Sequence, residues 1–352
     1  MPDIRPVTIT SAAPACDAQL LKVGHEARAL AGAEVGEIVR WAVGIGQGVD
    51  LPAGGATGRR WELLATVAAQ DLTVARVLEP HLDALAILGE AGEKPELGSS
   101  WGVWAAEAPG ERLIARGDDA GGWVLEGRKP WCSLAGVVSH GLVTAWIDDQ
   151  RRLFAIDLDD DRVTVQAGTW APVGLTAVVT TPVAMRGVPA RPVGDTGWYL
   201  ARDGFWWGGI GVAAVWYGGA VGLARRLAAH TTARDPDQVA LMHLGQVDAG
   251  LTAARATLAE AAAWVDGGQV AGHQAALLGA RVRHVVATAV EDIARHVAHA
   301  LGPAPLSQEP EHVARVADLA LYVRQHHAER DAANLGRILH ERHEGPDGFP
   351  PW

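Results

Sequence analysis

Trp123-Val124-Leu125-Glu126-Gly127-Arg128-Lys129-Pro130-Trp131-Cys132-Ser133 is the stretch on which the reading of this chain turns. Its first three residues are a β-type run entered from a Gly121-Gly122 turn. Similar runs follow at 141–147, 153–156, 163–165 and 178–183, parted by turn residues such as Asp148-Asp149 and preceded by Asp118-Asp119. Short strands at that spacing predict an antiparallel barrel or sandwich, not alternating βαβ units.

On both sides the pattern is helical. Before it, 71–79 and the apolar set Leu82, Leu85, Ile87 and Leu88 carry helical spacing, interrupted upstream by a Gly/Pro loop at 52–58. After it, Leu244, Leu251, Leu258 and Val265 recur every seven residues, with Val247, Ala254 and Ala261 three after the first three. That is an a/d seam, and it predicts a helix packed lengthwise in a bundle. A further stripe runs through Leu278, Val282, Val285, Ala289, Ile293 and Val297 and ends at Gly302-Pro303. A last helix is expected from near Pro310, with Val313, Val316, Ala317, Ala320 and Val323 on its apolar face and a continuation through Leu335, Ile338 and Leu339.

The expected fold is therefore α+β and mostly α. An N-terminal helical domain spans 1–98, a central antiparallel β-barrel domain 99–195 and a C-terminal four-helix bundle 196–344, with a loose tail at 345–352.

The 352 residues carry a formal net charge of -11 and a pI of about 5.7. That balance speaks against nucleic acid or an anionic membrane as the main partner. Two cysteines, Cys16 and Cys132, cannot build a disulfide framework or a cysteine-rich zinc site. With no signal-peptide pattern, a cytoplasmic protein is expected. Fourteen Trp against three Phe and three Tyr leave two readings: packing in cores and interfaces, or rings lining a flat ligand's pocket. Residues 205–224 run uncharged for the length of a membrane span but hold six glycines. A central helix packed on all sides reads the same way and is the expectation here.

Several motifs are discounted. Gly209-Ile210-Gly211-Val212-Ala213-Ala214 fits G-x-G-x-x-A, but in a helical stretch it suits close helix contact better than a dinucleotide. Glu309-x-x-His312 is the only E-x-x-H and reads as capping and surface. His296-x-x-His299 and His340-x-x-His343 read as exposed pairs, so no metal is expected. His326-His327, in the last helix, reads either as a solvated charged face or as a base reaching a pocket.

Several stretches, in this helix–barrel–helix order, resemble the acyl-CoA dehydrogenase family. They are 71–76 with His81, Trp104-Ala105-Ala106-Glu107-Ala108-Pro109-Gly110, the opening 123–133, Gly174-Leu175-Thr176-Ala177 with Gly187-Val188-Pro189-Ala190, and Gln238 with 242–255. The resemblance covers most of the chain. It implies three domains, FAD bound between barrel and bundle, and a homodimer or homotetramer. It would set Trp131 against the isoalloxazine, Ser133 near the reactive nitrogen and the backbone of 104–107, Ala106 and Glu107 included, along the pyrimidine edge. Trp131 and Ser133 are then expected to face one crevice with the backbone near Ala106. Arg234 and Gln238 would stand where the family binds flavin phosphates, in a shortened version of its Arg-x-Phe-Gly stretch.

The departures are in the chemistry. Residues 204–234 contain no Asp or Glu, and aligning Asp318 with the family's Arg-Asp pair places His326 where a catalytic glutamate is usual. The expected function is an atypical FAD-dependent oxidoreductase on an acyl-CoA thioester or related carbonyl compound. The alternatives are a flavin-dependent monooxygenase and a non-catalytic subunit. His326 is expected to be the catalytic imidazole and His327 to diverge from it by about 100° on the helix.

Overall fold

The computed structural model describes residues 4–10, 17–117, 121–168, 170–233 and 235–343; Cys16, Arg234 and the tail expected at 345–352 lie outside them. Four helices come first: α1 (Ala18–Ala29), α2 (Val35–Gly46), α3 (Thr57–Gln70) and α4 (Leu72–Glu90). Seven strands follow: β1 (Trp101–Trp104), β2 (Leu113–Gly117), β3 (Trp123–Ser133), β4 (His140–Ile147), β5 (Gln150–Asp157), β6 (Val163–Val165) and β7 (Thr180–Val193). Then come α5 (Trp198–Ala201), α6 (Asp203–Thr232), α7 (Gln238–Asp266), α8 (His273–Leu301), α9 (Pro305–Gln308), α10 (Pro310–Tyr322), a 3-10 turn (Val323–Gln325) and α11 (Glu329–His343).

The chain divides into two compact units that do not coincide with the three sequence regimes. One takes 32–51 and 76–205, the other 1–31, 52–75 and 206–352.

In the first unit, β4, β2, β3, β7 and β5 pair in that order, and β5 returns to β4, closing a five-stranded barrel. The barrel is mixed and not antiparallel as expected: β1 pairs β4 in parallel over Trp101–Trp104, and β2 meets β4 in parallel at Ile114 and Trp146. Strand direction leaves no trace in residue alternation, which sets only the face of each side chain. Ala84, Ile87 and Leu88 of α4 bury their side chains against Trp101, Leu142, Leu153, Ala155, Val193 and Tyr199.

In the second unit, α6 is the central helix. It is the one helix among the described residues long and apolar enough to cross a membrane, and 78% of its most apolar window is buried inside this fold. A Cβ at Gly218 would stand 2.2 Å from the Ala65 carbonyl oxygen, so glycine here lets α6 lie directly on α3. The Arg226 guanidinium forks onto the Glu309 carboxylate at 2.6 and 2.7 Å.

Two expected faces differ. The seam of α7 buries Val247, Ala254, Leu258, Ala261 and Val265 but leaves Leu244 and Leu251 half-exposed. α10 turns His312, Leu319 and Tyr322 inward, while Val313 faces solvent. The reason is polar: Arg315 caps the end of α3, donating to the Ala69 and Gln70 carbonyls at 2.6 and 3.0 Å, and this fixes the rotation of α10. His312, expected at the surface, is consequently buried.

Candidate functional site

In the barrel unit the end of β3 carries Trp131 and Ser133, two of the expected site residues. After a first register shift between Leu125 and Glu126, β3 and β7 stay in register from Glu126–Arg186 to Lys129–Val183, then resume at Cys132–Thr181 and Ser133–Thr180. Three steps on β3 match two on β7, so β3 holds one extra residue there, a bulge. Pro130, which has no N–H for the ladder, sits in it. Trp131 follows with φ +58°, a left-handed conformation that costs a bulky residue on the order of 1–2 kcal/mol. The bulge re-aims the side chain: Cys132 points into the core, and the Trp131 indole is 57% exposed. Burial pushes the Cys132 thiol up to about 12, which makes it inert.

The polar groups beside that indole are tied down. The Trp104 Nε1 donates to the Ser133 carbonyl at 3.1 Å, bringing the end of β1 to the end of β3. The Ser133 hydroxyl lies 2.9 Å from the Thr180 hydroxyl and accepts from the Arg76 guanidinium at 3.3 Å. Ala106 follows β1 and is exposed. Glu107 turns inward: the fully buried Lys129 ammonium donates to its carboxylate at 2.6 Å and to the Thr144 hydroxyl at 2.9 Å, and the Trp146 indole N–H reaches Glu107 at 3.3 Å. Burial holds the Lys129 ammonium below the usual lysine range, with Glu107 opposing.

The end of β1 thus meets the end of β3 through the Trp104–Ser133 bond, and Glu107 meets Lys129 inside the barrel. Arg76 and Thr180, whose side chains bond Ser133, were not among the expected site residues. Each lies inside or next to a stretch that carried the resemblance, yet only the β3–β7 register and the position of α4 bring them to Ser133.

The histidines belong to the other unit. The expected continuous last helix is broken: the 3-10 turn ends at His326, whose backbone is extended, and Ala328 has φ +45°. His326 and His327 are therefore not successive residues of a helix, although they do diverge. His326 is 4% exposed; the His327 side chain is 65% exposed beside Asp331. Around His326 stand the Trp216 ring at 6.5 Å and the His284 ring at 5.4 Å between centroids. The Arg283 guanidinium lies 4.8 Å over Trp216 and bridges the Gly209 and Gln325 carbonyls at 2.8 and 3.0 Å. Trp216 Nε1, His284 Nδ1 and His326 Nε2 are buried without a hydrogen-bond partner among the described residues.

His326 Nδ1 accepts the Ala328 N–H at 3.2 Å, so the neutral ring carries its proton on Nε2. Burial holds its pKa below the ordinary histidine value, with Asp331 opposing and Arg283 and His284 reinforcing. At neutral pH this imidazole presents an N–H donor, not the bare nitrogen expected of a base. Gln238 is exposed on the first turn of α7, and Arg234 is outside the described residues. No group of three or more metal-ligating side chains occurs among the described residues.

No protein-family model and no curated protein matches the sequence. Solved structures do match. The chain is similar to KijD3, solved with FMN and a dTDP-linked amino-keto sugar, at 21% identity and TM-score 0.74 over 91% of each chain. It is similar to butyryl-CoA dehydrogenase from Megasphaera elsdenii at 17% identity and TM-score 0.77, over 91% of this chain and 97% of that one. It is similar to TdsC of Paenibacillus sp. A11-2, described as a dibenzothiophene monooxygenase; the form with FMN and indole has 18% identity and TM-score 0.72, over 94% and 96% of the two chains. Likeness of this extent shows that the chain has the acyl-CoA dehydrogenase-like fold.

Proposed function

We propose that this protein is a flavin-dependent oxidoreductase. The observation that carries the reading is Trp131, a large indole held open on a strained bulge beside a Ser133 hydroxyl whose orientation is set by neighbours. Strain of this kind persists where the surrounding structure over-determines it, and it clusters at functional positions. A flat exposed indole next to a fixed hydroxyl fits an isoalloxazine better than it fits a flexible acyl chain. FMN and FAD share the isoalloxazine that this rim would meet, and the fold neighbours include proteins solved with FMN.

Bound flavin would supply two-electron transfer and, when reduced, reaction with dioxygen. The chain's own contributions are separate. Trp131 would cover one ring face, and the Ser133 hydroxyl with the 104–107 backbone would set the edge contacts. Lys129 and Glu107 neutralise each other inside the barrel and hold β1 against β3. His326 offers a buried, neutral Nε2–H that can give a hydrogen bond or a proton to an oxygen carrying developing negative charge.

That donor favours the monooxygenase reading over α,β-dehydrogenation. Removing the α-proton of a thioester requires a base, and the free Nδ1 lone pair of His326 is spent on Ala328. The chain is also proposed to self-associate, because Val239, Leu241 and Met242 leave an apolar cluster exposed at the start of α7. Light scattering at low micromolar concentration should give at least twice the chain mass.

The experiment is spectroscopic. Purified protein is titrated with FMN and with FAD, and binding is read from flavin absorbance and fluorescence quenching. The loaded protein is then mixed anaerobically with acyl-CoAs. The reduced form is separately mixed with dioxygen and aromatic or amino-sugar substrates. Bleaching by an acyl-CoA without dioxygen would reverse the preference between the two chemistries. Failure to bind either flavin would leave the non-catalytic reading standing.

A further inference from the structure

The barrel unit holds a cavity of about 570 Å³ where β3 begins, a volume in the range of small-molecule sites. Trp123 lines it, eight residues before Trp131 and so up to roughly 26 Å from it along the strand. Strand register assembles the lining. Trp123 lies opposite Ala190 of β7, and His140, the first residue of β4, lies opposite both Trp101 of β1 and Asp157 of β5. The connector between α4 and β1 contributes Lys94 and Glu96.

The aromatic wall is fixed in place. The Trp101 and His140 rings stack at 4.6 Å between centroids and 25° between planes. Trp101 Nε1 donates to the Ser99 hydroxyl at 2.7 Å, and that hydroxyl donates to the Glu96 carbonyl at 2.6 Å, so the connector is tied to the indole. The Ser139 hydroxyl lies 2.8 Å from His140 Nδ1. The half-buried Trp123 ring leans on Phe154 at 5.6 Å. Rings held in this way offer contact area to a flat ligand at little ordering cost.

The charges of the lining balance: Lys94 and Arg191 against Glu96 and Asp157. Arg191 is already paired with Glu93. The Lys94 ammonium has neither a hydrogen bond nor an ion pair among the described residues. Asp157 Oδ1 accepts the Asp159 N–H at 2.9 Å, while Oδ2 has no partner among the described residues. A free cation and a free carboxylate oxygen thus border one aromatic cavity, and a ligand of a single charge would satisfy only one of them.

We infer that this cavity is a second binding site, for a zwitterion with a flat aromatic ring, the chemistry of an aromatic α-amino acid. The ring lies against Trp123 and the Trp101–His140 stack, the carboxylate meets Lys94 and the ammonium meets Asp157. The inference does not rest on the flavin reading, since none of these residues belongs to the Trp131 rim.

The test is isothermal titration calorimetry of the full-length protein with three probes that share one ring: tryptophan, tryptamine and indole-3-propionate. Tryptophan should bind at least about 5-fold more tightly than either singly charged probe, the size of one favourable ion pair. Lys94→Met should bring tryptophan down to the level of tryptamine and leave tryptamine within about twofold. Asp157→Asn should bring tryptophan down to the level of indole-3-propionate and leave that probe within about twofold. Both side chains are exposed, so both variants should fold, and unchanged melting temperatures check this. Trp123→Leu should weaken all three probes, on the order of 10-fold for a lost stacking face. No saturable binding of tryptophan at millimolar concentration overturns the inference. So do equal affinities for the three probes, or a tryptophan affinity that neither Lys94→Met nor Asp157→Asn changes.

Discussion

The rim of the barrel and the break before α11 each hold a non-glycine residue in the left-handed region, Trp131 at φ +58° and Ala328 at φ +45°. They use it differently. At the rim the distortion comes from one extra residue in a sheet register, and the neighbouring polar groups of Trp104, Ser133 and Thr180 are all hydrogen-bonded. At the break a helix is interrupted, and three buried nitrogens on Trp216, His284 and His326 have no hydrogen-bond partner among the described residues. A buried donor without an acceptor costs on the order of 1–3 kcal/mol.

The largest effect that would sharpen this contrast is on turnover. His326→Ala should lower the rate on the order of 10²- to 10⁴-fold, whereas His327→Ala, at an exposed position, should change it less than about twofold. Equal small effects in steady-state assays would remove any functional distinction between the buried and the solvated imidazole.

Trp131→Ala comes next. Loss of the stacked indole should weaken flavin binding by about 10-fold or more, as stacking on an aromatic face is worth on the order of 1–3 kcal/mol. Melting temperature should hold, since the side chain is mostly in solvent. Trp131→Gly should lose flavin equally and gain about 1 kcal/mol in stability by relieving the backbone. A fall in stability on Trp131→Gly would mean that the indole packs for the fold.

Stability against pH should separate the two regions further. The His326 pKa is lowered in the folded state, so below the ordinary histidine value the unfolded chain binds more protons. Its contribution is complete above about pH 6.5 and is lost as pH falls through the folded value. His312 and His296, also lowered by burial, act in the same direction. Urea unfolding at several pH values between 8 and 5 should show declining stability, with a shallower decline in His326→Gln. An equal decline in both proteins would place the titration elsewhere.

The smallest effect is at Ala328. Ala328→Gly should raise stability by about 0.5–1 kcal/mol in urea unfolding, because glycine adopts positive φ without the Cβ clash. No gain would mean that the break is held by forces that outweigh its strain.

Most of the architecture was legible in the chain. Turn residues at short intervals between β-type runs announced the barrel, and apolar spacing announced the long helices on either side. The motif in 123–133 pointed at Trp131 and Ser133 as residues. It could not show the bulge, because a bulge is a mismatch between two strands and is invisible in either one alone. The last helix was misread for a related reason. The residues of 323–328 are compatible with helix, and it is the packing around His326, with Arg283 holding the Gln325 carbonyl, that goes with the interruption. The uncharged glycine-rich run of α6 named its own requirement for close contact, while only the approach of the Ala65 carbonyl showed which contact that was.

The sequence alone determined the order and type of the elements, since hydrophobic period and turn chemistry are local properties of the chain. Tertiary structure alone decided strand direction, the outward turn of Trp131, the proton position on His326 and the meeting of Arg76 with Ser133. Each of these depends on groups far apart in sequence whose hydrogen bonds must be satisfied together, and no local pattern records that balance.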